Sequence, residues 1–211
     1  MVYKKLILCF FLFNVVFSQD YNSGLKCFLN KDYVCAKNHF FSLVNNEEVN
    51  GVQIEYAYYY LFLSSLNLYH HDTEYFFDTF VSKFPFSNKK EEAFFFMSDY
   101  LFEKKSYKEV VNLLTAINLY QIEHYNRAKA FFYLGYSSYK IKNYDLAKNS
   151  FYELINSENS LYREDAVFFN SQILVSEEDS YAALLGLQEL TDSKKYSKEV
   201  PYYIAKILFD F

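Results

Sequence analysis

Tryptophan is absent from the 211 residues, and glycine and proline number only 4 and 2. So few turn formers argue against an all-β chain, which needs tight turns at short intervals. Basic residues are outnumbered, 21 Lys and Arg against 26 Asp and Glu, for a formal charge of -5. An acidic chain without a basic stripe is a poor nucleic-acid binder, because neutralising phosphates supplies most of that affinity. Motifs of catalysis are missing as well. The sequence has no HExxH pair, no GxSxG elbow, no glycine-rich phosphate loop and no CxxC. What is plentiful is apolar and aromatic: 52% and 22% of residues. That much apolar surface offsets the entropy of ordering, so disorder is excluded as the general state.

The longest early apolar run, Leu6 to Phe17, follows the basic start Met1-Val2-Tyr3-Lys4-Lys5. It is too short for a bilayer, which needs about 20 residues, and it ends on Ser18 before Gln19. The pattern predicts a secretory signal peptide over residues 1–18, cleaved before Gln19 or Asp20. Cys9 lies inside the run after Leu8, which is not the context of a lipidated cysteine. Losing Lys4 and Lys5 takes the charge from -5 to -7. The mature chain keeps Cys27 and Cys35, on either side of a predicted turn near Lys31. In an oxidising compartment they form a disulfide, or else they are two buried thiols acting as small apolar groups. The Cα separation that decides between these is not in the sequence.

From residue 20 onward the chain repeats. Tyr33, Tyr107, Tyr144 and Tyr181 lie on a ruler of 37 residues, with His70 at the remaining mark. Three residues on come Ala36, Thr73, Val110, Ala147 and Leu184. Self-similarity at such a period is the signature of stacked helical hairpins. In the fourth copy, Phe131, Leu134, Gly135 and Tyr139 have helical spacing, Ile141-Lys142-Asn143 interrupts it, and Tyr144, Ala147, Phe151 and Leu154 resume it. Strict superposition at 37 residues places Gly24, Leu61 and Ser98 with Gly135, and Phe40, Phe77 and Leu114 with Phe151. A small residue lets two helices approach, and the large one fills the gap to the next hairpin. A lone hairpin cannot bury both faces, so stacking makes the core.

The chain resembles the tetratricopeptide-repeat (TPR) family. Phe131-x-x-Leu134-Gly135, Tyr139, Tyr144, Ala147 and Phe151 match that motif, and Pro85 stands where it places its closing proline. The stretch Lys83-Phe84-Pro85-Phe86-Ser87 is similar to repeat ends in exported bacterial TPR proteins. The period of 37 against the usual 34, the lack of Trp, and Gln188 at an aromatic position depart from the pattern. The resemblance implies an all-α solenoid over residues 19–211: five hairpins and the first helix of a sixth, beginning near Val200-Pro201. The apolar residues Ile204, Leu208, Phe209 and Phe211 are not those of a polar capping helix. Either this end docks on another subunit, including self-association, or the array continues in a longer protein, the favoured reading.

In such arrays the first helix of each hairpin lines a groove. The groove position falls on Tyr21, Tyr58, Phe95, Phe132 and Phe169, with Tyr136 one turn further. Aromatic anchors with few rotamers suit capture of an extended peptide or a helix; the competing reading is that these rings are core. The four histidines, His39, His70, His71 and His124, are scattered, and His70-His71 reads as a solvated turn. The expectation is a non-enzymatic protein-binding scaffold of the bacterial cell envelope, serving assembly, secretion or a cell-wall-associated complex. It would be periplasmic, or associated with the outer membrane through a partner. No cofactor, metal or nucleic acid is expected. The alternative is an accessory repeat region whose catalytic or transport part lies beyond residue 211.

Overall fold

The structure is a computed structural model that describes residues 20–45, 51–157 and 160–209. The signal-peptide residues 1–18, Cys9 and Phe211 lie outside this set, as do residues 158–159 of the polar loop after the fourth hairpin. The described residues are helical throughout, with no strand. A helix over residues 20–29 (α1) is followed by α2 (Tyr33–Val44), α3 (Val52–Asn67), α4 (Thr73–Lys83), α5 (Lys90–Glu103) and α6 (Tyr107–Thr115). After a short 3-10 turn, Leu119–Gln121, come α7 (His124–Lys140), α8 (Tyr144–Ile155), α9 (Arg163–Ser176), α10 (Ser180–Glu189) and α11 (Glu199–Phe209). Two compact units divide the chain, Met1–Met97 and Ser98–Phe211, and the division falls inside α5.

One turn recurs five times. Lys31, Tyr69, Lys105, Lys142 and Glu178 all have positive φ, between 52° and 64°. At Lys31 the N–H donates to the Phe28 carbonyl, and the next N–H, of Asp32, donates to the Cys27 carbonyl. The same pair of bonds forms at Tyr69 and His70, Lys105 and Ser106, Lys142 and Asn143, and Glu178 and Asp179. This is the Schellman closure of a helix C-terminus, made without glycine. In four of the five turns the second residue also N-caps the following helix: Asp32, Ser106, Asn143 and Asp179. Asp32, Asn143 and Asp179 accept from the N–H three residues on. Such short-chain polar residues suit an N-cap because they satisfy an orphan donor. One short segment thus ends one helix and begins the next.

The turn residues are spaced by 38, 36, 37 and 36 positions, not uniformly by 37. This small slip corrects several assignments. Seven residues before the turn stand Gly24, Phe62, Ser98, Gly135 and Ser171, every one of them buried. Phe62, not Leu61, therefore occupies the second-copy position. On the second helices, Ala36, Thr73, Val110 and Ala147 are all 0% exposed, but the fifth member is Ala183, not Leu184. Likewise Leu187, at 1% exposed, fills the position assigned to Gln188, which is exposed. His70 lies in the turn, because α4 starts only at Thr73 behind Asp72.

Close approach explains two of the glycines. A Cβ on Gly135 would lie 2.6 Å from the Phe151 ring, and one on Gly24 3.0 Å from the Phe40 ring. Both phenylalanines are fully buried on the partner helix. In the fifth hairpin the arrangement is reversed, with Gly186 on the second helix facing Ser171 on the first.

Within the Met1–Met97 unit, α3 packs on both α2 and α4. Within Ser98–Phe211, each helix from α6 to α10 packs on its successor, and α7 also meets α9. Polar contacts tie loops to these helices. Ser193, after α10, donates to Glu164 of α9, and Ser87, after α4, donates to Glu55 of α3. Buried Asp165 accepts from Tyr196 and pairs with Lys195, so the carboxylate is matched rather than stranded.

Candidate functional site

The six predicted groove residues have different fates. Phe95 is 1% exposed and belongs to the core, which corrects its assignment to a groove. Tyr21, Tyr58, Phe132, Tyr136 and Phe169 are half-buried. In the Met1–Met97 unit, Tyr21 sets its edge on Phe40 at 5.9 Å, while Tyr58 leans on Phe84 at 5.6 Å under the Lys83 ammonium. Burial, aided by neighbouring Tyr60 and Tyr56, pushes the Tyr21 hydroxyl up to about 12. The Tyr21 and Tyr58 rings rest on different immediate neighbours, linked through Tyr60, Tyr59 and Phe80.

In the Ser98–Phe211 unit the other three do meet. Tyr136 lies 5.8 Å from Phe132 and 5.0 Å from Phe169, edge-on to the latter. Phe132 stacks on Tyr162 at 4.8 Å, and Phe102 and Tyr107 close on Tyr136 at 5.6 and 5.8 Å. The helical hairpins α5–α6, α7–α8 and α9–α10 all contribute to this cluster. Its rings pack in tilted, edge-on and stacked geometries favoured by the aromatic quadrupole, and they keep part of their surface in solvent. Chemically the cluster offers flat apolar area and tyrosine hydroxyls, with no nucleophile poised beside a base. Phe102, Tyr107 and Tyr162 were missed by sequence reasoning. They come from turn-flanking positions, whereas the sought column followed one position of the first helix.

A cleft of about 280 Å³ lies beside the start of α7, lined by Tyr120, His124, Arg127, Phe131, Glu153 and Ser157 among others. Its guanidinium is committed to structure: Arg127 donates from Nη2 to the carbonyls of Tyr120 and Ile122. The Nε atom is buried without a hydrogen-bond partner. A hydrogen bond to Glu153 raises the Tyr120 hydroxyl above its ordinary value.

Two further partly enclosed carboxylates are similarly occupied. Asp72 pairs with Lys37 at 2.7 Å and accepts from Ser65, with His70 at 3.0 Å. Partial burial pushes Asp72 up, but the hydrogen bonds from Lys37, Ser65 and His70 outweigh it and hold the carboxyl down at about 2. Asp99 accepts from Lys129 and Tyr133. Burial first, and then the Asp99 carboxylate, raises the Tyr133 hydroxyl well above the ordinary tyrosine range.

Cys27 at the end of α1 and Cys35 in α2 are joined by a disulfide, with Cα atoms 5.7 Å apart. A ring nitrogen of His39, one turn after Cys35, lies within 4.8 Å of both sulfurs. His39 Nδ1 is also 3.7 Å from Asp20. The adjacent His70 and His71 rings lie 4.4 Å apart in the second turn. Among the described residues, no helix is long and apolar enough to cross a membrane. No protein-family model, curated protein or solved structure matches this chain.

Proposed function

We propose that the chain is a TPR-like α-solenoid acting as a non-enzymatic protein-binding scaffold, exported to the bacterial cell envelope. The observation that carries this reading is the fivefold recurrence of one hairpin turn, each joining two helices with a small or apolar buried contact between them. Units that repeat a hairpin and bury only part of its surface build extended binding faces by stacking. The role envisaged is capture of a protein segment, in assembly, secretion or a cell-wall-associated complex.

The anchor for such a segment is the half-buried cluster of Phe132, Tyr136 and Phe169, supported by Phe102, Tyr107 and Tyr162. Its rings are held by one another before a partner arrives, so little rotamer entropy is lost on binding. Tyr21 and Tyr58 are secondary contacts in this reading, and Phe95 is none.

A photo-crosslinking residue in place of Tyr136 tests it in the native envelope. A discrete crosslinked protein is expected, and Phe169→Ala should abolish it while helicity by circular dichroism stays intact. No crosslink, or loss of helicity in Phe169→Ala, would reject this cluster as a binding surface. Export is checked separately: the N-terminal residue of the envelope-fraction protein should be Gln19 or Asp20.

A further inference from the structure

The first hairpin carries a second chemistry that a scaffold does not require. Cys27, Cys35 and His39 place two sulfurs and a ring nitrogen within 4.8 Å of one another. All three side chains are only partly buried, so solvent, a reductant and an ion can reach them. The arrangement rests on rigid elements. Cys35 and His39 are i and i+4 on α2, on one face of the helix. Cys27 lies in the last turn of α1, and the Lys31 turn between them is fixed by its paired hydrogen bonds and by the Asp32 cap.

We propose that this cluster is a two-state site: a disulfide when oxidised, and a zinc(II) site formed by Cys27, Cys35 and His39 when reduced. A Zn–S bond of about 2.3 Å and a Zn–N bond of about 2.0 Å put tetrahedral ligands roughly 3.5–4 Å apart. The present Cα separation of 5.7 Å allows the sulfurs to part to such a distance by rotating about χ1, without moving either helix. Soft thiolates with one imidazole select zinc(II) over hard cations such as magnesium or calcium. With Nε2 as the metal ligand, Asp20 at 3.7 Å from His39 Nδ1 would need to close by just under ~1 Å to accept from that nitrogen, the part an outer carboxylate plays in zinc sites. A water molecule completes the fourth position.

The reaction balances with a thiol or phosphine reductant. Two reductant thiols supply the two electrons and two protons and become a disulfide, or a phosphine supplies the electrons and one water the protons and the oxygen of the phosphine oxide. Zinc then displaces the two thiol protons, and the thiolates with neutral His39 donate one pair each. Metal uptake therefore weakens as pH falls and is blocked by oxidation.

The experiment uses the full chain in a Cys9→Ser background, so that only these two thiols count. After phosphine reduction and chelator treatment, the protein is titrated with cobalt(II) as the spectroscopic probe. One equivalent should bind with tetrahedral ligand-field bands and a thiolate charge-transfer band, and zinc should displace it. Oxidation or Cys35→Ser should abolish the signal, and His39→Ala should weaken binding roughly 10-fold or more, the scale set by losing even an outer ligand partner. Equal melting of oxidised His39→Ala and its parent shows that this variant is folded. Absence of uptake by the reduced chain would overturn the site, as would an unchanged affinity and spectrum in His39→Ala. So would reduction that melts the helices without recovery on adding zinc.

Discussion

Phe95 and Phe132 occupy the same place in their hairpins, each ten residues before the positive-φ turn residue, yet they differ in burial. Phe95, in the Met1–Met97 unit, is 1% exposed, whereas Phe132, in the Ser98–Phe211 unit, is half-buried against Tyr162. Position in a repeat therefore does not decide whether a ring is core or surface. Truncation should separate the two. Phe95→Ala should destabilise by about 3–5 kcal/mol, the range for emptying a closed core site, and lower the urea midpoint accordingly. Phe132→Ala opens onto solvent and should cost about 1–2 kcal/mol, scaled to its smaller loss of buried area. Equal losses would show that Phe132 is core, and the proposed binding cluster would shrink to Tyr136 and Phe169.

The two glycine contacts give a finer version of the same comparison. Alanine gains about 1 kcal/mol in helix propensity over glycine at either place. At Gly135 the added methyl would sit 2.6 Å from the ring of fully buried Phe151, which must shift as a whole. Overpacking of this kind costs about 1–3 kcal/mol, so Gly135→Ala should destabilise by up to about 2 kcal/mol net. At Gly24 the contact is 3.0 Å, to the outer edge of Phe40, and Gly24→Ala should fall within about 0.5 kcal/mol of neutral. Thermal melting of the two variants side by side checks the ordering. A larger loss at Gly24 would mean that the first hairpin, with its disulfide, yields less than the fourth.

These contrasts also show what could be read before the structure. Helical character, hairpin pairing and the positions of the turns followed from spacing alone: Tyr33, Tyr107 and Tyr144 do begin α2, α6 and α8. The ruler failed where a hairpin changes length by one residue. Helix α3 runs one residue later than a strict period allows, and the turn before α4 absorbs the difference, so Thr73 remains in register while Leu61 does not. The fifth hairpin is one residue short, which exchanges Ala183 for Leu184. On a helix a single residue rotates a side chain by about 100°, enough to exchange core for surface. The aromatic runs gave no warning, because Tyr56 to Tyr60 and Phe94 to Phe96 offer a ring at almost every angle. Ring clusters and the approach of His39 to the cysteines depend on tertiary placement, and no local pattern encodes it.

Acid separates two further equivalent turns. Asn143, before α8, caps with an amide that does not titrate, whereas Asp72, before α4, spends its carboxylate on Lys37, Ser65 and His70. With the carboxyl held at about 2 against an ordinary 3.8, the folded state keeps Asp72 ionised more readily than the unfolded chain does. Its contribution is present above pH ~4 and is lost as pH falls through the folded value near 2. Discounted for the partial exposure of the group, it is on the order of 1 kcal/mol. Asp72→Asn should therefore lower stability at pH 7 and flatten its fall between pH ~4 and ~2, measured by urea midpoints across that range. A parallel fall in both proteins would place the acid sensitivity elsewhere.

The smallest effect, and the only gain, is expected at the turns themselves. Lys31 and Lys142 hold φ of 61° and 63°, a conformation that costs an L-residue about 1–2 kcal/mol. Glycine removes that strain but adds about 0.5–1 kcal/mol of backbone entropy to the unfolded chain. Lys142→Gly should thus stabilise by roughly 0.5–1 kcal/mol, seen as a small rise in melting temperature. At Lys31 the Cys27–Cys35 bridge spans the same turn and already restricts the unfolded chain there. The added glycine then has less freedom to lose, so Lys31→Gly should gain at least as much as Lys142→Gly in the oxidised protein. Reduction removes the restriction and should bring the two gains together. If the Lys31→Gly gain is the smaller one under oxidation, the bridge constrains the folded turn more than the unfolded chain, and the first hairpin is held by its covalent link at the expense of its backbone geometry.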